Sequence, residues 1–379
     1  MTAYGLDVIS HYYDPVKAPY LRAAVLPAIR SVENVQTHVE RHWLHGPHLR
    51  IGLRGPKPAV ELAALQVAAA LREHVSVRPS KDVTLASELL RRATLAGKAE
   101  LVPPPYTPIW ADNTIAIVEP RTDLVGLLGS TEAVDLRSRL LALGVPAIGA
   151  SVARLGERGD GSSGRVWLAL TAMAAHAGAY PLGLGAGHQS FLSHLEDFLL
   201  FADPDGTLRA TYTRQWERHA GRVTDLVARM ADGRDQTPVE TGWLAWSREA
   251  WEITAPAFDR GELPSAPGEA YTDRARRVGD DRTLRQWDPD QRTEYSEYHK
   301  ELRKIDFQKA PYEREFVVYR FNTNMLYLLL GVCDLEPAER YLAAFLVSRA
   351  AEQITGLTWR ERLAGYLAAQ RTDAGQVAS

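Results

Sequence analysis

The chain has 379 residues, 45% of them hydrophobic, with a formal net charge of -3 and one cysteine. That length is ample for one large core or two intimate ones, at roughly 100–200 residues per domain. The charge leaves no global basic field, which argues against a general nucleic-acid binder, and a lone Cys333 excludes an internal disulfide framework or a cysteine zinc cage. No basic start followed by an apolar run marks a secretion signal. The greasy stretch "VWLALTAMAAHAGAY" (166–180) is too short to span a bilayer and reads as a buried helix. These features lead us to expect a cytoplasmic protein with no membrane partner.

Residues 4–13, "YGLDVISHYY", read as a strand closed by Asp14-Pro15, and a helix follows over 17–31. Next, "VQTHVERHW" (35–43), a turn at His45-Gly46-Pro47 and "HLRIGLRG" (48–55) give a hairpin signal with a short glycine-containing loop. A three-residue loop pairs Leu44 with His48, His42 with Arg50 and Glu40 with Gly52. Alternation then puts His38, Glu40, His42, His48, Arg50 and Arg54 on one face. Val39, Trp43, Leu49, Ile51 and Leu53 take the other, spoiled only by Arg41. The apolar face explains a fold; the basic one calls for a partner. His38 and His42 have the spacing of a zinc helix, but the local pattern is a strand and no third ligand is marked, so no metal site is expected.

A helix is expected at 57–75. The segment "LVPPPYTPIW" (101–110) cannot be helical, "NTIAIVEP" (113–120) is a strand, and 131–143 is helical. The stretch "GERGDGSSG" (156–164) reads as the clearest flexible loop. Helices then dominate, at 165–179, 188–202, 208–231, 241–258, 313–331 and 337–354, the last started by Asp334 and Glu336-Pro337. Residues 273–294 mix arginines with acids, as a solvated face or mobile loop does. The tail "RTDAGQVAS" reads as frayed. The pattern predicts an α+β fold in one domain over 1–379: an antiparallel sheet with a hairpin (the α+β part, about 1–155) packed against a mostly helical C-terminal half (about 165–365).

Three stretches hold candidate chemistry. In "GHQSFLSHLEDFLLF" (187–201) a helix aligns Ser190, His194 and Asp197, with Ser193 beside them, while Phe191, Leu195, Phe198 and Leu199 pack. This is either a hydrolase-like Ser/His/Asp set or a polar network lining a pocket. In "EFVVYRFNTNMLYLLLGV" (315–332) Arg320, Asn324 and Tyr327 align, with Tyr319 and Asn322 beside them. Such a polar stripe serves a structural network with the hairpin or a peptide-contacting wall. The stretch "WDPDQRTEYSEYH" (287–299) supplies Trp287, Tyr295, Ser296, Tyr298 and His299, side chains suited to a lid or peptide groove. "GLGAG" (183–187) lacks the spacing of a dinucleotide fingerprint.

"RHWLHGPHLRIGLRG", "SFLSHLEDF" and "VVYRFNTNMLYLLLGV" resemble, in this order, stretches of the glutamate-elimination-like part of class I lantibiotic dehydratases and of stand-alone relatives in thiopeptide pathways. Eliminating members of that family carry a His-Met and then an Asn-Arg on the late helix. Here that helix reads "YRFNTNMLYLLLG", and no histidine follows His299. The "NMLYLLLG" form looks like the thiopeptide pyridine synthases. The resemblance implies a formal [4+2] cyclisation of two dehydroalanines in an azole-bearing precursor peptide. Water and the leader peptide leave, and a pyridine-centred macrocycle remains. It implies no redox cofactor, and its partners are the leader-bearing precursor and other enzymes of the pathway. Tyr319, Tyr295, Ser296, Tyr298, His48 and His194 are then the candidates for polarising the amide and moving protons, with His299 and Glu100 as further acid or base candidates. Arg50, Arg54, Arg320, Asn322, Asn324, Glu100, Trp287, Ser190 and Ser193 are candidates for holding the peptide. An acidic leader would meet the arginines of 273–292. Two rivals stay open: a stand-alone glutamate-eliminating lyase that forms dehydroamino acids, and a non-catalytic peptide-binding scaffold.

Overall fold

A computed structural model of the chain describes residues 4–264, 270–305 and 313–377, with side chains through Gln370. The architecture is α+β, a four-stranded antiparallel sheet followed by a mostly helical remainder. The chain divides into two compact units. The first comprises 1–161, 256–293 and 327–334; the second comprises 162–255, 294–326 and 335–379.

In the first unit the strands β1 (Tyr4–His11), β2 (Gln36–His42), β3 (His48–Gly55) and β4 (Thr114–Val118) lie in the order β2-β3-β1-β4. Hairpin pairing sets His42 opposite His48, Glu40 opposite Arg50 and His38 opposite Gly52. The expected register is therefore off by two residues. The chain begins to bend at Trp43, whose carbonyl accepts from the Gly46 N–H at 3.0 Å, and the loop takes up residues 43–47. His45 and Gly46 both have positive φ (65° and 111°), a conformation open to glycine and rare for a histidine. An even slip leaves every side chain on its expected face. Val8, Val39, Leu49, Ile51 and Leu53 are fully buried on the apolar face. The Lys57–Val77 helix packs on the sheet, and its Val60, Ala64, Val67 and Leu71 are fully buried too. Each such valine, leucine or isoleucine contributes about 1.5–3 kcal/mol. Arg41, the one charge on this face, donates to Asp334 at 2.6 Å and to the Pro15 carbonyl at 2.9 Å.

The first helix runs Ala18–Tyr20, continues as a π-turn over Leu21–Val25 and ends as Leu26–Arg30. Asp334 does not start the last core helix as expected. Its carboxylate accepts from the Lys17 and Ala18 backbone N–H groups at 2.8 and 2.7 Å, and Glu336 precedes Pro337 at the start of the Pro337–Thr355 helix. The expected 156–164 loop is shorter, since helices run to Glu157 and restart at Ser162. The segment between is pinned where Arg22 clasps Asp160 with two 2.8 Å bonds. Helices Ala86–Glu100 and Val145–Glu157 stand where the sequence pattern made no assignment. The stretch Thr131–Glu157 is long and apolar enough to cross a membrane by length and composition alone. Half of its most apolar window is buried, with Leu136, Leu140, Leu141, Ile148 and Val152 in the core. Residues 273–294 are mainly two short helices, Tyr271–Val278 and Asp281–Trp287. Residues 371–377 continue the Trp359–Val377 helix rather than fraying, and 378–379 lie outside the described residues.

In the second unit, helices Ser162–Gly178, Leu184–Ala202, Thr207–Ala231 and Pro337–Thr355 pack on one another. Their glycines set the spacing. A Cβ on Gly178 would lie 2.5 Å from the Ala231 Cα, and one on Gly187 would lie 2.4 Å from the Ala177 carbonyl oxygen. "GLGAG" is thus partly explained by close helix approach. Arg165 and Glu339 tie the bundle with a buried ion pair at 2.7 Å. Trp243, Trp246, Phe191 and Leu195 fill the interior.

Candidate functional site

The polar face of the sheet is built in rows across the strands. His42, His48 and His11 form the row nearest the hairpin loop; Glu40, Arg50 and Ile9 the next; His38, Gly52 and Asp7 the third; Gln36, Arg54 and Gly5 the last. The two glycines make room. A Cβ on Gly52 would meet the His38 ring at 2.1 Å, and one on Gly5 would meet the Arg54 side chain at 2.6 Å. In the space so left, buried Asp7 receives Arg50 Nη1 at 2.5 Å and Arg54 Nη1 at 2.9 Å. Each guanidinium keeps donors with no partner among the described residues. Glu40 is clasped by both terminal nitrogens of Arg137 from the Thr131–Leu143 helix and by His38 Nε2 at 3.2 Å. Burial pushes the Glu40 pKa up, but the Arg137 charge and the bonds from His38 and Arg137 outweigh it and hold it well below the usual carboxylate range.

The imidazole row is neutral. Burial is the leading cause in each ring, and it lowers His11 to about 4, His42 to about 3, and His48 well below the ordinary value. The positive arginines of the face add to the shift, Arg50 acting on all three and Arg121 on His42. Ring centroids step from His11 to His48 at 5.1 Å and from His48 to His42 at 5.7 Å. Trp110 stacks on His11 and Trp43 on His42. Glu100 accepts from the Trp43 indole N–H at 2.9 Å, and Trp287 stacks on Tyr271 at 5.5 Å. In 273–292, Arg274 donates to the Leu101 and Glu100 carbonyls, and Arg276 donates to Asp288 and Asp290.

The second unit holds a different arrangement. Ser296 caps the Glu297–Leu302 helix, accepting from the His299 N–H at 3.3 Å. This cap turns the His299 ring back onto it, with Ser296 Oγ at 2.8 Å from Nδ1. The other ring nitrogen, Nε2, lies 3.0 Å from Ser193 Oγ on the Leu184–Ala202 helix. An imidazole held between two hydroxyls can take a proton at one nitrogen and release one at the other, ending as the opposite neutral tautomer. His194 stands at the surface of the same helix. The positive Arg340 disfavours its charged form, while Asp197 pulls the other way. Among the described residues Ser190 forms no side-chain hydrogen bond, so the aligned Ser190/His194/Asp197 stripe is not joined through it; on this helix Ser193 is the serine that meets a histidine, His299.

The remaining candidates sit as follows. Tyr319 is buried, donates to the Gly187 carbonyl at 3.0 Å and stacks on His176 at 4.4 Å. Tyr298 is buried, and its hydroxyl meets the Gln189 carbonyl at 3.3 Å and Oε1 at 3.2 Å. Tyr295 lies under the Arg303 guanidinium at 4.0 Å, and Arg320 lies over Phe316 at 5.4 Å. Asn322 is fully buried and accepts from Thr254 at 2.8 Å, whereas Asn324 is exposed. The Glu313–Val332 helix thus splits its polar residues. Tyr319, Asn322 and Thr323 serve the interior with His176; Arg320 and Asn324 open outward. His11 and Arg137 escaped notice in the sequence, and His42 was placed on the face without being marked as a site residue. Alternation already marked His11 as sharing the face of Asp7, but nothing in the sequence marks Arg137 as the partner of Glu40. Among the described residues, no group of three or more His, Cys, Asp or Glu side chains is arranged to hold a metal ion.

No family model and no curated protein matches the chain. Solved structures do. The pyridine synthase TbtD from thiomuracin biosynthesis superposes with a TM-score of 0.69 at 20% identity, over 93% of this chain and 99% of that one. The crystal structure of TsrL superposes at 0.60 and 19% identity, over 97% of this chain and 98% of that one. The chain therefore has, over nearly its whole length, a fold like that of a thiopeptide pyridine synthase.

Proposed function

We propose that this protein is an enzyme, a thiopeptide pyridine synthase of the cytoplasm. Its substrate is a leader-bearing precursor peptide with azole rings and two dehydroalanines, and its reaction is a formal [4+2] ring closure. Support comes from the likeness in fold to TbtD and from the Ser193–His299–Ser296 relay, which is the observation that carries the reading.

The chemistry asks for a neutral bifunctional group. To become a diene, the amide between one dehydroalanine and its preceding residue must tautomerise to an imidic acid. One proton leaves nitrogen and one reaches oxygen. At the relay, one serine hydroxyl protonates the carbonyl oxygen as the other accepts the nitrogen proton, and His299 passes the proton between them by changing tautomer. No net charge develops. Two carbon–carbon bonds then form with the second dehydroalanine. The hydroxyl leaves as water after protonation. The carbon–nitrogen bond to the leader breaks, the leader departs as an amide, and the ring becomes a pyridine with no oxidant consumed. Holding the two ends of a flexible peptide together supplies about 7–11 kcal/mol of the acceleration.

The sheet face acts as a peptide grip. Arg50 and Arg54, oriented by Asp7, point their spare donors at peptide carbonyls. The enzymes that install the dehydroalanines and azoles are the pathway partners.

The test is mass spectrometry of purified protein incubated with a synthetic precursor carrying two dehydroalanines and azoles. The expected products are a macrocycle lighter by water and leader amide, together with free leader amide. Intact peptide, with glutamate released instead from a glutamylated serine peptide, overturns the proposal in favour of an eliminating lyase. Intact peptide in both assays, with tight binding, leaves a scaffold.

A further inference from the structure

The imidazole row on the sheet belongs to no step above, yet its ring nitrogens are sorted. His42 Nδ1 accepts the Leu44 backbone N–H at 3.0 Å, so this ring carries its proton on Nε2. His48 Nδ1 donates to the Gly46 carbonyl at 2.9 Å, so its Nε2 is a bare acceptor. Neither Nε2 has a partner among the described residues, and neither is sealed from solvent. The hairpin loop thus fixes opposite tautomers in adjacent rings, one presenting a donor and the other an acceptor. The centroids are 5.7 Å apart and the planes differ by 27°. Flat aromatic surface flanks them. Trp43 continues the stack from His42 at 5.3 Å, and Trp110, half exposed, lies nearly parallel to His11 at 6.1 Å and 17°. His11 Nδ1 is buried without a partner among the described residues.

We infer that this row is a binding subsite for a planar azole-carboxamide segment of a peptide, with His42 and His48 reading its hydrogen-bonding edge and Trp43 and Trp110 stacking on its rings. In such a segment the azole nitrogen and the neighbouring amide N–H lie on the same edge, an acceptor beside a donor. That edge is the complement of a His42 donor beside a His48 acceptor. A π-face stacked on tryptophan or histidine adds affinity in a way that a saturated peptide does not reproduce. Because burial lowers His42 to about 3 and holds His48 well below its ordinary value, both rings are neutral and the pattern holds across the physiological range. This inference rests on the proposed azole-bearing substrate and assigns a place to its rings.

The probe is a 2,4-linked bisthiazole carboxamide, titrated into the full chain by calorimetry against its saturated thiazolidine analogue and an unmodified tripeptide amide. The bisthiazole binds, and the other two bind at least tenfold more weakly. His42→Phe and His48→Phe keep the stack but lose one hydrogen bond each, and each weakens binding about tenfold. Trp110→Ala weakens it similarly. Nitrogen-15 spectra of labelled histidine show an Nε2–H ring and an Nδ1–H ring that both shift on titration. Equal affinity for the three probes, or affinity unchanged in both phenylalanine variants with native circular dichroism, overturns the inference. Ring closure of the full precursor by a protein that ignores the bisthiazole overturns this subsite alone. Binding without ring closure leaves the subsite standing and removes the catalytic reading.

Discussion

Arg137→Met tests how the polar sheet face is held together. The substitution keeps length and apolar stem but removes the two bonds to Glu40, leaving that carboxylate buried with His38 at 3.2 Å as its remaining partner. Both side chains of the pair are only 6% exposed. Breaking a buried pair from one side costs about 3–5 kcal/mol, because the surviving charge stays out of water. At about 2–4 °C per kcal/mol for a unit of this size, the melting temperature should fall by about 10 °C at pH 8. The pH dependence carries the sign. In the wild type Glu40 is held well below its usual range, so its stabilisation is present above the unfolded carboxylate pKa and is lost as pH falls through the folded value. In the variant burial acts without Arg137, and the folded pKa rises above the unfolded one. The variant's deficit should then be largest at pH 8 and shrink toward pH 5, where the carboxyl takes up its proton. Glu40→Gln in the same background should recover about half of the loss at pH 8. Melting curves by circular dichroism at the two pH values decide it. A loss under 2 °C, or one equal at pH 5 and pH 8, refutes the reasoning.

Glycine substitutions separate packing from propensity. Gly187→Ala places a methyl 2.4 Å from a helix backbone carbonyl, and urea titration should show a loss of about 1–3 kcal/mol. Gly221→Ala, in the Thr207–Ala231 helix with nothing within 4 Å of the added carbon, should stabilise by about 0.5–1 kcal/mol in the same titration. Gly52→Ala drives a methyl into the His38 ring. It should cost about 1–3 kcal/mol and weaken the His38 bond to Glu40, read as a shifted His38 side-chain resonance; an unmoved resonance contradicts the packing described.

How far the sequence carried differs by element. Period-two alternation identified the polar sheet face correctly although the hairpin register was displaced by two residues, because only an odd slip would exchange faces. The displacement came from His45, a histidine in the left-handed region, which lets the loop absorb two more residues than Gly46-Pro47 alone signals. Long helices with clear apolar stripes were legible to within a few residues, as Pro337–Thr355 and Thr207–Ala231 are. The Val145–Glu157 helix was not: it follows Leu143 with only Gly144 between, and no break in the apolar pattern marks a new element. At the site, Ser296 and His299 were marked as neighbours in sequence. Their link to Ser193 is a contact over 106 residues that no local period encodes. Arg137 and Glu40 show the same limit over 97 residues.

The proposed ring closure depends most on His299, between two hydroxyls, moving the proton that makes the diene. Single-turnover conversion of the azole-bearing precursor by His299→Phe, followed by mass spectrometry beside the wild type, tests this most directly. The relay predicts a rate lower by about 10²–10⁴-fold, with peptide affinity within threefold and an unchanged circular dichroism spectrum. A His299→Phe protein that closes the ring at the wild-type rate would contradict it.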